Sequence, residues 1–188
     1  MLTNRVRIIG GRWRSRWVKF PDVEGMRPTP DRVRETLFNW LGQDLTGCSC
    51  LDLFAGSGAL GLEAASRGAL EVVLVERDRR IAQALQDSVR ALAFDSAAIS
   101  VVCADAIEFL ERDLRMYDVA FVDPPYALWE KARNTAAGVL HKLEPRLKPG
   151  ARVYLEAACP LQLPSDWQTL KNKRAGAVHY QLARPIAQ

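Results

Sequence analysis

The feature that most constrains the fold of this 188-residue chain is an alternation of apolar and helical segments that begins after Gly47. Short segments rich in Val, Leu and Ile have the composition of buried strands, and the stretches between them show helical spacing of apolar residues. Strands separated by helices predict a parallel sheet with helices on both faces. The strands are expected at residues 50–54, 72–75, 99–103, 117–122 and 152–155, and the helices at 59–67, 79–94, 107–110 and 128–143.

Both ends of the chain add strands of another kind. Segments 167–173 and 177–183 flank a glycine turn and predict an antiparallel hairpin, which extends the sheet to seven strands. Over residues 5–20, apolar and basic residues partly alternate around a pair of glycines, so short strands around a turn are expected. We therefore expect an α/β fold with a mostly parallel seven-stranded sheet. A small N-terminal β extension, residues 1–30, would precede the main domain, residues 31–188.

The N-terminal extension is strongly basic. Residues 1–34 hold nine basic and three acidic side chains, whereas the whole chain has a formal net charge of +4. Such a stretch suits a polyanion, through phosphate contacts and counterion release, although a solvated arm that binds nothing would have the same composition. Trp13 and Trp17 either stack on unpaired bases or pack the hairpin against the main domain. The candidate nucleic-acid contacts are Arg7, Arg12, Arg14, Arg16, Arg27 and Arg34.

Acidic residues fall at the C-terminal ends of four successive predicted strands. Asp52 lies within the first strand, Glu76 ends the second, Asp105 follows the third and Asp123 ends the fourth. Ligands of doubly wound sheets bind beyond the C-terminal ends of the strands. One acid in such a place is a solvated loop residue, but four at one edge predict a site.

A glycine-rich loop follows the first strand. Gly56-Ser57-Gly58-Ala59-Leu60-Gly61 matches the pattern GxGxxG, and Glu76, 20 residues after Gly56, suits the hydroxyls of a ribose. Taken alone, this pattern is also typical of nicotinamide and flavin enzymes. Asp52 suits a cationic amino-acid group better than a pyrophosphate, and Asp105 suits the exocyclic amine of adenine. Both acids favour S-adenosylmethionine, which carries an ammonium and a sulfonium and has no phosphate.

The most specific motif is Asp123-Pro124-Pro125-Tyr126. The prolines fix the backbone, so the loop offers a carboxylate and backbone carbonyls without rearrangement. Acceptors on both hydrogens of an exocyclic amine would hold it for in-line attack on a methyl sulfonium, with Tyr126 stacked on the base. Positioning and electrostatics would supply most of the acceleration. Asp123 would take the proton late, once the nitrogen carries positive charge.

Cysteine and hydropathy patterns exclude several other classes of protein. Cys48, Cys50, Cys103 and Cys159 form no CxxC pair, so we expect no metal site and no disulfide framework, but small buried residues in strands. Carbon-5 methylation of a pyrimidine needs a cysteine nucleophile, and neither Cys103 nor Cys159 follows a proline in a candidate loop. No apolar run approaches the length of a membrane span, and no signal-type segment is present. We expect a cytoplasmic protein without a membrane association.

The motifs resemble those of a known family. Residues 51–126 resemble the class I S-adenosylmethionine-dependent methyltransferases, which have a Rossmann-like fold. Asp123–Tyr126 resembles the (Asp/Asn/Ser)-Pro-Pro-(Tyr/Phe/Trp) motif of the branch that methylates amino groups. Nearly the whole chain resembles the RsmD family. The segments that carry this resemblance are Ile8-Ile9-Gly10-Gly11-Arg12-Trp13-Arg14-Ser15, Arg27-Pro28-Thr29-Pro30-Asp31-Arg32-Val33-Arg34-Glu35 and Leu51-Asp52-Leu53-Phe54-Ala55-Gly56-Ser57-Gly58.

The RsmD resemblance implies an activity and a substrate. The family transfers a methyl group to the N2 amine of guanine 966 in 16S rRNA, on an assembled or nearly assembled small ribosomal subunit. The resemblance implies that Asp123 to Tyr126 form the catalytic loop and that Arg27-Pro28-Thr29 closes over the cofactor or the target base. The implied cofactor contacts are Asp52, Gly56 and Gly58 at the methionine end, Glu76 at the ribose, Asp105 and Ala106 at the adenine, and the flanking Phe54, Ser57 and Arg77.

Other functions remain open from the sequence. The same catalytic loop serves enzymes that methylate DNA adenine or a protein amide. A catalytically silent RNA-binding module would keep the fold, although the intact Asp123 and glycines argue against it. A nicotinamide oxidoreductase is the third alternative. No feature indicates an obligate interface, so a monomer is expected.

Overall fold

The computed structural model describes residues 3–23, 26, 28–92, 98–125 and 135–186. In chain order, the helices are α1 (Asp31–Leu41), α2 (Ala59–Ser66), α3 (Arg79–Ala91), α4 (Ala106–Arg112) and α5 (Thr135–Leu143). The strands are β1 (Thr3–Arg7), β2 (Trp17–Pro21), β3 (Ser49–Asp52), β4 (Glu71–Glu76), β5 (Ala98–Cys103), β6 (Tyr117–Val122), β7 (Leu147–Ala157), β8 (Trp167–Ala175) and β9 (Val178–Pro185).

Within the described residues, the main sheet has seven strands in the order β5-β4-β3-β6-β7-β9-β8. Strands β3 to β7 pair in parallel, whereas β9 pairs antiparallel with both β7 and β8. The predicted fold class is therefore confirmed, including the C-terminal hairpin. The strand order reverses between β3 and β6, and this reversal creates the crevice where ligands of such sheets bind.

The core lies on both faces of the sheet because successive residues of a strand point to opposite sides. Phe121 and the strand side chains that point to the same face of the sheet pack against α1, α2 and α3. Val122 and the strand side chains on the opposite face pack against α4 and α5. Among the described residues, no helix is long and apolar enough to cross a membrane.

The N-terminal extension forms a two-stranded antiparallel sheet. Thr3–Arg7 pairs with Trp17–Pro21, and the connection between them, residues 8–16, is longer than a tight turn. Trp13 is 3% exposed and belongs to the same apolar cluster as α1, α2 and α3, so it packs the hairpin onto the main sheet. Trp17 is 46% exposed, and the Arg5 guanidinium lies 4.3 Å from the centre of its ring.

Several predicted boundaries were wrong. The fifth parallel strand was expected at 152–155 but begins at Leu147, because Lys148-Pro149-Gly150 is accommodated inside β7 where the pairing with β6 shifts register. The first strand ends at Asp52 rather than at Phe54. The helix expected at 128–143 ends at Leu143 as predicted, and its expected start lies outside the described residues. Cys103 and Cys159 are exposed, so only Cys50 fits the expected buried strand cysteine fully.

Candidate active site

Four acidic side chains lie on one face of the sheet near its C-terminal edge. Asp52 pairs in register with Leu74 and with Phe121, and Phe121 pairs with Tyr154. Glu76, Asp123 and Glu156 each lie two residues beyond these partners, so side-chain alternation places them on the same face as Asp52. The structure thus brings together three of the acids predicted from the sequence and adds Glu156.

The glycine loop makes a tight turn between β3 and α2. The amide of Gly58 donates to the carbonyl of Ala55 at 2.6 Å, and Gly56 and Gly58 have φ angles of 49° and 76°. These left-handed conformations favour glycine. A Cβ on Gly58 would lie 2.6 Å from Leu85 Cδ2, and one on Gly61 would lie 2.2 Å from Leu74 Cδ2. The turn therefore requires glycine for its backbone conformation and for the close packing of α2 against α3 and β4.

Asp52 braces this loop from inside the protein. It is 1% exposed, and its Oδ2 accepts a hydrogen bond of 2.9 Å from the amide of Gly61 in the first turn of α2. Burial is the main cause that raises the pKa of Asp52 to about 7, against the opposing hydrogen bonds from the backbone of Gly61 and Phe54. Its carboxyl group thus links the end of β3 to the start of α2.

Glu76 holds the same loop from the neighbouring strand. Its Oε2 accepts from the amide of Gly56 at 3.0 Å, and its Oε1 accepts from the amide of Asp78 at 2.8 Å. Asp105 is exposed and caps α4, because its Oδ1 accepts from the amides of Ile107 and Glu108. The remaining predicted cofactor residues differ in exposure: Ser57 and Ala106 are buried, Phe54 is half-buried, and Arg77 is exposed.

Asp123 lies directly after β6, beside the strand reversal. Its Oδ2 accepts a hydrogen bond of 3.1 Å from the hydroxyl of Thr29, which is itself buried. Desolvation, followed by the negative charge of Glu156, raises the pKa of Asp123 well above its usual value, whereas the Thr29 hydrogen bond lowers it. Pro124 is buried and Pro125 exposed. Tyr126 and Arg27 lie outside the described residues.

Glu156 is the site residue that the sequence reasoning missed. It is 4% exposed near the end of β7, and its Oε2 accepts a 2.7 Å hydrogen bond from the hydroxyl of Tyr154. Desolvation and the neighbouring acids, Glu156 before Asp123, raise the pKa of the Tyr154 phenol. Alternation along the strand could have indicated it. Glu156 lies two residues after the inward-facing Tyr154, at a position where an apolar residue is expected.

The predicted basic contacts separate into two groups. Arg12 and Arg14 are exposed on the connection between β1 and β2. Arg7 forms an ion pair with Asp31, with 3.6 Å between its Nη2 and Asp31 Oδ2. Arg16 is exposed and donates to the carbonyl of Leu92 at the end of α3. Arg34, by contrast, is 1% exposed and is engaged by intramolecular partners. Its predicted contact with substrate is not supported by this placement, because a phosphate cannot reach a buried guanidinium.

The residues around the glycine loop fit S-adenosylmethionine better than a dinucleotide. The carboxylate of Glu76 lies at the end of β4, the strand next to β3 and its glycine loop, and that of Asp105 follows β5, one strand further out. Carboxyl groups in this arrangement, with Asp123 across the strand reversal, favour a cation and disfavour a pyrophosphate. Met26 lies beside the loop, since its Sδ is 3.7 Å from the position that a Cβ on Gly56 would occupy. The fold and this site together define the class of S-adenosylmethionine-dependent methyltransferases.

Comparisons with known proteins identify the family. The family described as "Conserved hypothetical protein 95" matches residues 6–184. The chain is 41% identical over 191 residues to the Escherichia coli protein named "Ribosomal RNA small subunit methyltransferase D", covering 99% of this chain and 93% of the relative. It is 40% identical over 183 residues to the protein of that name from Haemophilus influenzae, covering 94% and 92%. The chain belongs to this family, the RsmD family of methyltransferases.

Solved structures agree with this assignment. A structure described as a putative methyltransferase yhhF from Escherichia coli has a TM-score of 0.82 at 41% identity, covering 98% of this chain and 100% of that one. A Thermus thermophilus 16S rRNA N2 methyltransferase, RsmC, solved with AdoMet and guanosine, has a TM-score of 0.70 at 25% identity. It covers 98% of this chain and 50% of the larger protein.

Proposed function

We propose that this protein transfers a methyl group from S-adenosylmethionine to the exocyclic N2 amine of a guanine in 16S rRNA, at position 966, on an assembled or nearly assembled small subunit. The observation that carries the proposal is the placement of Asp123-Pro124-Pro125 at the strand reversal, with the glycine loop on the adjacent strand and Thr29 bonded to the carboxylate. The names of the relatives, which are rRNA small-subunit methyltransferases, support the choice of substrate.

The cofactor, when bound, supplies an electrophilic methyl group. Asp123 and the Pro124 carbonyl accept the two hydrogens of the target amine and turn its lone pair toward that methyl group. Tyr126 stacks on the base. As the nitrogen becomes positively charged, Asp123 Oδ1 accepts its proton, while Oδ2 keeps its hydrogen bond to Thr29. A carboxylate whose pKa is raised by burial and by Glu156 is a stronger proton acceptor than a solvated one.

The residues that would hold the cofactor lie at the C-terminal ends of β3, β4 and β5. Glu76 holds the ribose, and Asp105 with Ala106 meets the adenine. The backbone of the glycine loop borders the methionine end, and Asp52 acts there through the loop that it braces. Phe54, Ser57 and Arg77 flank these groups. No metal is assigned a role in this chemistry.

The N-terminal hairpin supplies the RNA contacts in this account. Arg12 and Arg14 are exposed and meet phosphates, and Arg7 and Arg16, at the two ends of the same connection between β1 and β2, extend this basic surface. A target base inside a folded RNA must be unstacked to reach Asp123, by flipping or by its place in an exposed loop. The protein acts as a monomer, in the cytoplasm where ribosomal subunits assemble.

The proposal is tested by comparing methyl acceptors. Labelled S-adenosylmethionine is incubated with the protein and with small subunits, free 16S rRNA, DNA or a protein extract. We expect label in small subunits isolated from cells that lack this protein. Label in DNA alone would support the adenine alternative, label in protein the amide alternative, and cofactor binding without transfer to any acceptor a silent RNA-binding module.

The acid limb of the pH–activity profile should move in opposite directions in two variants. The groups that face Asp123 are Glu156 and Tyr154 on β7, Asp52 on β3 and Thr29 before α1. Activity requires ionised Asp123, so a higher pKa of Asp123 moves the acid limb to higher pH. Glu156→Gln removes a negative charge but keeps an acceptor for Tyr154, and should lower the midpoint by about one pH unit.

Thr29→Val removes the hydrogen bond that favours the ionised carboxylate and should raise the midpoint. Both profiles are measured as kcat/KM for methyl transfer. Shifts of the same sign in the two variants would contradict the assignment of the acid limb to Asp123.

The salt dependence of RNA binding should report the exposed arginines. The variant Arg12→Glu/Arg14→Glu should bind small subunits more weakly. The slope of log Kd against log salt concentration should fall by the amount expected for the loss of about two phosphate contacts. The control variant Lys171→Glu/Lys173→Glu makes the same change of charge on β8, an edge strand of the seven-stranded sheet. An unchanged slope for the arginine variant would remove the hairpin from the RNA interface.

A further inference from the structure

Arg34 is a buried cation with four acceptors from three parts of the chain: β1, the segment from Thr29 to Asp31, and α2. Its Nε donates to the carbonyl of Thr29 at 3.1 Å, and its Nη2 donates to the carbonyl of Arg7 at 2.9 Å and to Asp31 at 2.5 Å. Its Nη1 donates to Glu63 Oε2 at 3.2 Å. Only the planar fork of a guanidinium can reach acceptors in these several directions at once.

The contact with Thr29 leads directly to the catalytic carboxylate. Thr29 lies between Pro28 and Pro30, which restrict its backbone and remove two neighbouring amide donors. Its carbonyl is held by Arg34, and its hydroxyl holds Asp123 Oδ2. The path from Arg34 to Asp123 therefore passes through a single residue with little freedom of its own.

The same guanidinium also contacts the N-terminal hairpin. The carbonyl of Arg7, at the end of β1, accepts from Arg34, and the amide of Ile9 donates to Glu63 Oε2 at 2.9 Å, the oxygen that Arg34 also binds. The hairpin and Thr29 are thus fixed to one buried group. A movement of the hairpin relative to α1 would strain the contact that holds Thr29.

We propose that Arg34 is a positioning residue for the methyl transfer, which orients Thr29 and through it the carboxylate of Asp123, and which connects the hairpin to the catalytic loop. The proposal rests on the function proposed above. It gives Arg34 a role in turnover without contact with RNA or cofactor, and it predicts that changes at Arg34 act on the reaction only while Thr29 retains its hydroxyl.

The experiment compares Arg34→Lys with Arg67→Lys. Arg67 is also buried and also pairs with Glu63, at 2.8 Å, but its guanidinium donates to Glu63 and Gln43 rather than to Thr29. Both variants should lose stability in urea unfolding. Only Arg34→Lys should lower kcat, by about tenfold, with the KM for subunits and the Kd for S-adenosylmethionine changed less than about threefold.

The decisive measurement is the double variant. Thr29→Val alone should lower kcat, Thr29→Ser should retain most of it, and adding Arg34→Lys to Thr29→Val should lower it no further. The acid limb should shift upward in Arg34→Lys as it does in Thr29→Val. Independent, multiplying effects of the two substitutions, or equal kcat in the two lysine variants, would overturn the proposal.

Two controls keep the outcomes separate. Arg34→Gln, which retains a donor toward Glu63, is measured in parallel so that the test stands if the lysine variant fails to fold. If the wild-type protein transfers no methyl group to any acceptor, the proposed function itself is refuted. Active wild-type protein with unaffected Arg34 variants would refute only the positioning role.

Discussion

Asp123→Ala should lower kcat for methyl transfer by about 10³-fold. The substitution removes the acceptor that orients the target amine and the group that takes its proton, and each contribution is typically worth factors of tens to thousands. The Kd for S-adenosylmethionine should change less than about threefold, because the glycine loop is held by Asp52 and Glu76 rather than by Asp123. Steady-state transfer to small subunits and calorimetric cofactor binding measure the two effects.

A graded series sharpens this test. Asp123→Asn retains an oxygen that accepts a hydrogen bond but cannot take a proton, so its kcat should fall between those of wild type and Asp123→Ala. Asp118→Asn is the matched control, because Asp118 lies near the N-terminal end of β6, away from the site. Its carboxylate accepts hydrogen bonds from the amide of Ser49 and from Lys148. Weak cofactor binding with normal turnover in Asp123→Ala would refute the catalytic assignment.

Glu63→Ala should destabilise the protein by about 3–5 kcal/mol. Glu63 has no exposed surface and pairs with both Arg34 and Arg67, so its removal leaves two buried guanidinium groups without their shared carboxylate. Glu71→Ala, which breaks a half-exposed pair with Arg115 at 3.6 Å, should cost less than about 1 kcal/mol. Urea unfolding at 25 °C measures both, and similar losses would show that the Glu63 cluster contributes no more than a surface pair.

The elements of the main sheet were predictable because their patterns are local. Val72–Val75 is a continuous apolar run, Tyr117–Val122 is apolar except for Asp118, and the structure places strands over both segments. The glycine loop and the Asp-Pro-Pro loop were likewise found from short motifs. The start of β7 was missed because Pro149 and Gly150 break local patterns, whereas pairing with β6 overrides them.

The buried polar groups were less accessible to sequence reasoning. Arg34 lies in a basic stretch, so the sequence predicted that it contacts RNA. Its four acceptors are brought around it only by the packing of α1, α2 and the hairpin, which the sequence does not reveal. Glu156 was missed because its importance depends on the register of β7 against β6. Long-range partners, rather than residue type, decided the roles of both side chains.

The central claim is tested most directly by mapping the methylated product. Small subunits from cells that lack this protein are incubated with labelled S-adenosylmethionine and the purified protein, and the rRNA is digested and analysed by mass spectrometry. The account predicts a single N2-methylguanine, at position 966 of the 16S rRNA, and no such product with Asp123→Ala. A methyl group on adenine, on ribosomal protein or on no component of the subunit would contradict it.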